Sequence, residues 1–416
     1  MQHRQNPSMT NRPDGTDTAA PSPPTELRLP GMLCGATGAV AAFALLAVAM
    51  SAAQTHLPRI GPDYQRWLTD VGANNVVARL QWAIGDMTEP QFYKSWLASL
   101  GLLAGAAIAW WADARNKKWA GMPISYASGL WPWILGSSAL SMALANLAYG
   151  WLLRLGWQPT FIPFVCVATS LVLIYGSGWP VFCTGAVLGA ITTTPVAMFL
   201  IKYVTGPLHL PLVVSNTAAM SIGAAVTFTL CRYLPWMPAP LRDGEEHQAT
   251  PSTTIARTPT FGKDAIWTVR RIIADFTETQ FYATEWASIG VLVAVGLTFM
   301  LNPDFPAYGT GLLAPILFTQ AVTAAVGVVV WRHLYRGGGW APTYISVVSV
   351  APATVLAFNG SVVSIVVGSI GGALICPIIA RPISARLPKD FHPFIGNTIS
   401  MSVSTAAMVG LLDLTV

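Results

Sequence analysis

Long apolar runs separated by short polar connections dominate the chain. A helix needs about 20 predominantly apolar residues to cross a bilayer, and runs near that length recur from end to end. The pattern predicts an all-α, polytopic membrane protein with about 11 membrane-spanning helices. The expected spans are 31–53, 96–112, 124–153, 160–175, 181–200, 210–231, 286–301, 308–331, 343–358, 362–380 and 394–412.

Polar segments divide these runs into regions. The first segment is rich in proline and polar residues without an apolar period, which predicts disorder. The run that follows is longer than the apolar core of a usual signal peptide, so we expect an uncleaved anchor, although Ser51–Ala53 has the small residues of a cleavage site. The predicted regions are a cytoplasmic tail (1–30), an anchor helix (31–53), a first membrane half (54–233), a cytoplasmic linker (234–260) and a second membrane half (261–416).

Each half begins with a stretch that is only partly apolar. The first stretch, 56–93, places charged residues around Trp67 and Trp82, and its counterpart in the second half is 261–277. This pattern is typical of a helix that lies along the membrane surface, with aromatic anchors at headgroup level. We therefore predict a surface helix followed by five spans in each half.

The third run of each half is short and contains a proline, Pro163 or Pro352. A turn rich in Gly, Ser and Asn joins it to the fourth run, at 175–178 and at 358–361. Two interpretations fit this pattern. The third and fourth runs either cross the membrane fully or form a bent or re-entrant hairpin, which survives at membrane depth only inside protein or beside water.

Three motifs occur twice, in the same order and at nearly the same spacing. The repeated pairs are DMTEPQFYKSWLASLG at 86–101 with DFTETQFYATEWASIG at 275–290, GWQPT at 156–160 with GWAPT at 339–343, and NTAAMS at 216–221 with NTISMS at 397–402. The first pair has a constant offset, since 275 − 86 and 290 − 101 are both 189. The repeats predict an internally duplicated membrane domain, which is a common design of transporters.

Parity and loop charge predict that the two halves are inverted. Five spans are an odd number, so the second half should enter from the opposite face. The loop 115–118 (RNKK) follows the first span of the first half, whereas the corresponding loop 302–306 has no basic residue. Conversely, Arg381, Arg386 and Lys389 precede the last span of the second half. Antiparallel halves place the basic-rich loops on one side, which the positive-inside rule makes cytoplasmic, so we expect a plasma (inner) membrane protein with a cytoplasmic N-terminus.

The composition agrees with a membrane protein and argues against a soluble domain or a nucleic-acid-binding protein. Only 10% of residues are charged and 53% are hydrophobic, and the mean hydropathy is +0.52, whereas soluble domains carry about 25% charged residues. The net charge of +5 therefore reflects the loops and does not indicate nucleic-acid binding. The 5 cysteines have no metal-binding or disulfide spacing, and we expect no metal and no other cofactor.

The repeat spans carry hydroxyl and amide groups where chemistry could occur. No charged residue lies near a predicted midplane, which disfavours a carboxylate-driven proton pump. The twin NTxxMS motifs would meet across the axis between inverted halves, where such folds bind substrate. The predicted solute-binding residues are Asn216, Thr217, Ser221, Asn397, Thr398, Ser402, Thr194 and Asn359. The same groups would serve equally well as hydrogen bonds that join helices.

Other polar residues have mainly structural interpretations. Glu89 and Glu278 would each cap the helix that follows, because a carboxylate near a helix N-terminus is stabilised. His392 would be an interfacial loop histidine or a pH sensor. The chain has no HExxH, GxSxG or Walker motif, so we do not expect an enzyme.

The leading prediction is a secondary transporter or facilitative channel for a small polar solute, with or without a coupling ion. Its layout is similar to that of urea channels and citrate-type carriers, although it lacks their signature motifs, and a fold alone does not fix a substrate. The alternative is a non-transporting membrane scaffold or the accessory subunit of a membrane complex. Both functions need the lipid bilayer as a partner, neither involves nucleic acid, and both are compatible with a homo-oligomer.

Overall fold

The computed structural model describes residues 27–241 and 260–414, and all regular structure in these ranges is helical. The predicted tail and most of the predicted linker lie outside the described residues. The first part contains α1 (Leu29–Ala53), α2 (Tyr64–Gly72), α3 (Val76–Gly85), α4 (Trp96–Ala114), α5 (Trp131–Tyr149), α6 (Val167–Tyr175), α7 (Trp179–Leu200) and α8 (Leu212–Cys231). The second part contains α9 (Phe261–Ala274), α10 (Glu285–Leu301), α11 (Leu313–Val330), α12 (Tyr344–Val347), α13 (Val350–Ala357), α14 (Val362–Val366), α15 (Gly372–Ser384) and α16 (Phe394–Asp413).

Seven helical segments in the described residues are long and apolar enough to cross a membrane. They are Leu29–Ala53, Trp96–Ala114, Trp179–Thr205, Leu212–Cys231, Leu313–Val330, Val362–Ser384 and Phe394–Asp413. The total rises to 8 if α9 and α10, which meet at an 82° bend, are counted as one span. The all-helical prediction is confirmed and the helices suit a multi-pass membrane protein, whereas the count of about 11 spans is not confirmed.

The third run of each half is too short to cross the membrane alone. The segments Ile162–Tyr175 and Tyr344–Ala357 are apolar helices of fewer than 18 residues, and both are broken. The breaks lie at Cys166 (φ −140°, ψ −94°) and Ser349 (φ −137°, ψ −83°). The breaks therefore do not coincide with the two prolines that suggested bending. Every residue of α6 is buried, so irregular backbone here is enclosed by protein.

The N-terminal helix α1 packs along the second half of the chain, against α9 and α11. Gly31 and Gly35 of α1 lie directly against the backbone of Phe261 and Ala265 of α9, where a side chain would not fit. Small residues allow such close approach between helices in a membrane. The predicted anchor is therefore part of the helix bundle.

The stretch between α1 and α4 is less superficial than the sequence pattern suggested. Trp67 of α2 and Trp82 of α3 are 1% and 0% exposed, and their rings lie 5.4 Å apart. They pack with Phe305 from the second half in a small separate core. These two tryptophans are therefore core residues, and the prediction that they anchor a helix at the headgroups is wrong.

Two pairs of related helices pack against each other. Helix α4 packs on α10, and α8 packs on α16. At the first crossing a Cβ on Gly101 would overlap the carbonyl of Gly290, and a Cβ on Gly290 would overlap the carbonyl of Gly101. Gly101 and Gly290 are equivalent residues of the repeated block, separated by 189 positions. The helices therefore touch at backbone distance at this point.

Candidate functional site

The twin NTxxMS motifs face each other on α8 and α16. The Ser221 hydroxyl lies 2.7 Å from that of Thr398, and Ser402 donates a 3.0 Å hydrogen bond to the carbonyl of Val214. Contacts that pair a later residue of one helix with an earlier residue of the other show that α8 and α16 run antiparallel. Ser221, Thr398 and Ser402 thus join the two helices, as the hydrogen-bond interpretation of the motif expected.

The two asparagines of the motif differ in their partners. Asn397 donates a 3.1 Å hydrogen bond to the hydroxyl of Tyr344. The Oδ1 of Asn216 is buried and has no hydrogen-bond partner among the described residues. Phe161 follows the GWQPT motif where Tyr344 follows GWAPT, so the first half has no equivalent hydroxyl. A buried polar atom without a partner is unfavourable, which leaves Asn216 available to a ligand.

Two cavities flank the α8–α16 crossing. The larger cavity, of about 650 Å³, is lined by Asn216 and Thr217 near the N-terminus of α8 and by Met401 of α16, among others. The smaller, of about 460 Å³, includes Asn397 at the start of α16 and Arg381 at the end of α15. Because the two helices are antiparallel, the cavities lie toward opposite ends of the pair. Met401 and Asn397, which line different cavities, are about one turn of α16 apart, a rise of about 6 Å.

The two remaining predicted residues line neither cavity. Thr194 is buried in α7, and no residue in the described part of the chain hydrogen-bonds to its hydroxyl. Asn359 is exposed in the turn before α14, where its φ of 49° suits asparagine. Of the eight predicted site residues, the structure therefore brings Asn216 and Thr217 into the larger cavity and Asn397 into the smaller one.

A buried charge cluster lies beside the larger cavity. In the 3₁₀ turn Asp86–Gln91, Asp86 contacts Lys94, and Glu89 Oε2 lies 3.1 Å from the Lys94 Nζ. All three side chains are less than 3% exposed. The other donors are Asn146 (2.9 Å) and Thr160 (2.8 Å) to Asp86, and Trp157 (3.0 Å) and Tyr308 (2.8 Å) to Glu89. Two carboxylates therefore share a single cation, the first cluster.

The second half contains an equivalent cluster. Arg271 contacts both Asp275 and Glu278, Trp340 donates to Glu278, and Thr343 donates to Asp275 at 2.9 Å. The carboxylates, the tryptophan and the threonine belong to the repeated motifs and correspond pairwise to those of the first cluster. Again two buried carboxylates share one cation, the second cluster.

The cations of the two clusters come from different sequence positions. Arg271 corresponds to Trp82, and Lys94 corresponds to Ala283, because 271 − 82 and 283 − 94 both equal 189. The Lys94 Nζ lies 3.6 Å from the centre of the Trp82 ring, so its charge reaches the place that an arginine occupies in the other half. One cation per cluster is thus retained although its position has moved.

Sequence reasoning missed these clusters. Glu89 was expected to cap α4, but Ser95 is the capping residue and accepts a hydrogen bond from the N–H of Ala98. The signal was present in and just before the repeated block. Both copies keep Asp and Glu three residues apart, while Trp82 and Lys94 of the first half are replaced by Arg271 and Ala283 in the second. Compensating exchange of this kind indicates contact.

A pair of glutamines joins the two copies of the repeated block. Gln91 donates to Gln280 at 2.8 Å and Gln280 donates to Gln91 at 2.9 Å. Gln91 also donates to the carbonyl of Phe276, and Gln280 to that of Met87. Since 276 − 87 is 189, this second pair of bonds is reciprocal as well. Buried polar groups with all partners satisfied fix a single arrangement.

The loop before α16 contains two groups with shifted pKa values. Arg232 forms two hydrogen bonds to Asp390, at 2.6 and 2.7 Å, and lowers the pKa of that carboxyl. Packing of His392 against Phe281 and Phe394 removes water and lowers the pKa of the imidazole well below its ordinary value. The N–H of Phe394 also donates to His392 Nδ1, which requires that nitrogen to be unprotonated. His392 therefore stays neutral near pH 7, which argues against a pH sensor.

Among the described residues, no group of three or more His, Cys, Asp or Glu side chains is arranged to hold a metal ion. Comparisons with the profiles of known protein families, with curated proteins and with solved structures found no match to this chain.

Proposed function

We propose that the chain is a secondary transporter or facilitative channel that moves a small polar solute across the plasma (inner) membrane. Two inverted repeats would enclose the pathway, and the N-terminus would be cytoplasmic. The observation that carries the proposal is the pair of cavities at opposite ends of α8 and α16, each lined by the asparagine of one NTxxMS motif. Sites between inverted repeats are typical of carriers.

Reciprocal contacts and the direction of the equivalent helices together support the inverted arrangement. If a two-fold axis in the membrane plane relates the halves, a contact between two residues implies a contact between their equivalents. The reciprocal bonds of Gln91 and Gln280, and the mutual approach of Gly101 and Gly290, have this property. The antiparallel crossing of α8 and α16 agrees with it, because equivalent helices run in opposite directions when the repeats are inverted.

The unequal cavities suggest how a solute would move. The larger cavity, which includes Asn216, is opposed by a smaller one in which Asn397 is bonded to Tyr344. We infer that the solute reaches Asn216 through the larger cavity. Release of the Asn397–Tyr344 hydrogen bond would then accompany opening of the smaller cavity. In a carrier this would be alternating access, and in a channel a local gate.

The test is solute flux into proteoliposomes, with urea, glycerol, glycine and choline as probes. We expect saturable flux of at least one probe above that of empty liposomes. Asn216→Ala should lower that flux by about tenfold, because the hydrogen bond of one amide is lost. Thr229→Ala is the matched control, since Thr229 lies on the exposed side of the same helix.

Two outcomes would contradict the proposal. Normal flux in Asn216→Ala and in Asn397→Ala, at equal reconstituted amounts, would exclude the assigned site. Absence of saturable flux for every probe, together with co-purification of a fixed partner protein, would favour the scaffold alternative.

A further inference from the structure

The larger cavity has an acidic and aromatic lining. Its acidic residues are Glu89 and Asp413, and no lysine or arginine is among the described residues that line it. Apart from the tyrosines, His209 is the only other ionisable side chain among the described lining residues. The aromatic residues of the lining are Tyr64, Phe92, Trp157, Phe161 and Tyr308. An acidic cavity with several aromatic faces attracts cations.

The first charge cluster places a carboxylate, that of Glu89, in the lining of this cavity. Asp86 and Glu89 share Lys94, which leaves the cluster one cation short when both carboxylates are ionised. Lys94 itself lies over Trp82, behind the cavity wall, and does not line the cavity. Burial makes an unpaired charge costly, so a cation that enters the cavity would stabilise the cluster.

Two buried polar groups of the same cavity have no partner within the described residues. They are the hydroxyl of Tyr64, which is 3% exposed, and Oδ1 of Asn216, which is 5% exposed. Both atoms accept hydrogen bonds, and both residues line the cavity. Their acceptors would suit a ligand that carries an O–H or N–H group in addition to its charge.

We propose that the larger cavity binds a small organic monocation of the alkylammonium class. The ammonium would contact the aromatic faces next to Glu89, and a hydroxyl or N–H of the ligand would reach Asn216 or Tyr64. This inference rests on the proposed function only in treating the cavity as the place where the transported solute is held. It narrows the solute from any small polar molecule to a cation.

The test compares two probes of the same shape. Choline and 3,3-dimethylbutan-1-ol differ in that a quaternary nitrogen of the first is a carbon in the second. With the purified full-length protein in lipid nanodiscs and titration calorimetry as the readout, we expect choline to bind at least about tenfold more tightly than the neutral alcohol. Equal affinities, or no choline binding, would overturn the proposal.

Variants locate the binding within the molecule. Glu89→Gln should weaken choline binding by about tenfold or more, and it leaves Lys94 paired with Asp86, so the fold should persist. Glu278→Gln is the matched control, because Glu278 has the equivalent place in the second cluster but does not line this cavity. Equal weakening by both variants would place the effect outside the cavity and contradict the proposal.

Flux measurements separate this inference from the proposed function. If choline binds with the expected preference and no probe crosses the membrane, the cation site stands and the transport proposal fails. If urea or glycerol is carried while choline neither binds nor competes, transport stands and the cation proposal is wrong.

Discussion

Lys94→Ala should lower the free energy of unfolding by about 3–5 kcal/mol, the cost of breaking a buried ion pair by removing one partner. The substitution leaves Asp86 and Glu89 buried together without a cation. The measurement is the unfolding midpoint of the purified protein, followed by the loss of the monodisperse chromatographic peak on heating. Lys263→Ala, which removes an exposed lysine of α9, is the control and should have little effect.

The second half of the chain suggests a substitution that should restore the stability lost in Lys94→Ala. Trp82→Arg places a guanidinium where Arg271 lies in the equivalent cluster, so it should restore a substantial part of the stability lost in Lys94→Ala. The reverse exchange, Arg271→Trp with Ala283→Lys, should likewise be more stable than Arg271→Trp alone. If neither double variant is more stable than its single parent, the two clusters are not structurally equivalent.

Gly290→Leu should be about as damaging, with an expected loss of about 3 kcal/mol or more, because the new side chain would force α4 and α10 apart. The position of its Cβ is already filled by the carbonyl of Gly101, and this backbone cannot move aside as a side chain would. Thermal unfolding and the yield of folded protein measure the effect.

A second glycine of α10 provides the matched control. Within the described residues, a Cβ on Gly296 would meet no atom within 4 Å beyond the adjacent backbone of its own helix. Gly296→Leu should therefore be neutral or stabilising, since leucine favours a helix over glycine by up to about 1 kcal/mol. Equal damage from both substitutions would show that the close crossing of α4 and α10 is not what Gly290→Leu disturbs.

The sequence predicted the parts of the fold that follow from apolar patterning. Long runs gave most of the spans, and the repeated NTxxMS motifs lie on helices that touch, as duplication suggested. Sequence could not tell which members of that motif bond between helices and which line a cavity. Ser221 and Asn216 are little more than one turn apart on α8. Ser221 lies within hydrogen-bond distance of Thr398 on α16, whereas Asn216 Oδ1 has no partner among the described residues.

The charge clusters were missed for a physical reason. A stretch with alternating charges and tryptophans is typical of a membrane surface, and nothing local shows that its end folds inward as a 3₁₀ turn. Asp86 is stabilised there by Asn146 and Thr160, which are 60 and 74 residues away in sequence. Only the comparison of the two copies, with the cation moved from one position to another, carried that information.

The bends in the third runs were also misplaced. Proline predicted a kink, but the irregular residues are Cys166, three positions after Pro163, and Ser349, three positions before Pro352. In this region the two copies are offset by 183 residues, as the GWQPT and GWAPT motifs are (339 − 156). Cys166 and Ser349 have the same offset and are equivalent, whereas Pro163 and Pro352 are 189 residues apart and are not. The break thus occurs at equivalent positions in the two halves, and a proline lies three residues from it in each half.

The inverted orientation of the two halves is tested most directly by side-specific cysteine labelling. Single cysteines would replace Lys117 and Arg386, which are exposed in basic loops of opposite halves, and Leu208 and Thr310 in the loops expected on the other side. The exposed Cys34 and Cys183 would be removed first. With a membrane-impermeant maleimide, the inverted arrangement predicts labelling at 208 and 310 in intact cells and at 117 and 386 only after permeabilisation. Labelling of 117 and 386 from opposite sides of the membrane would contradict it.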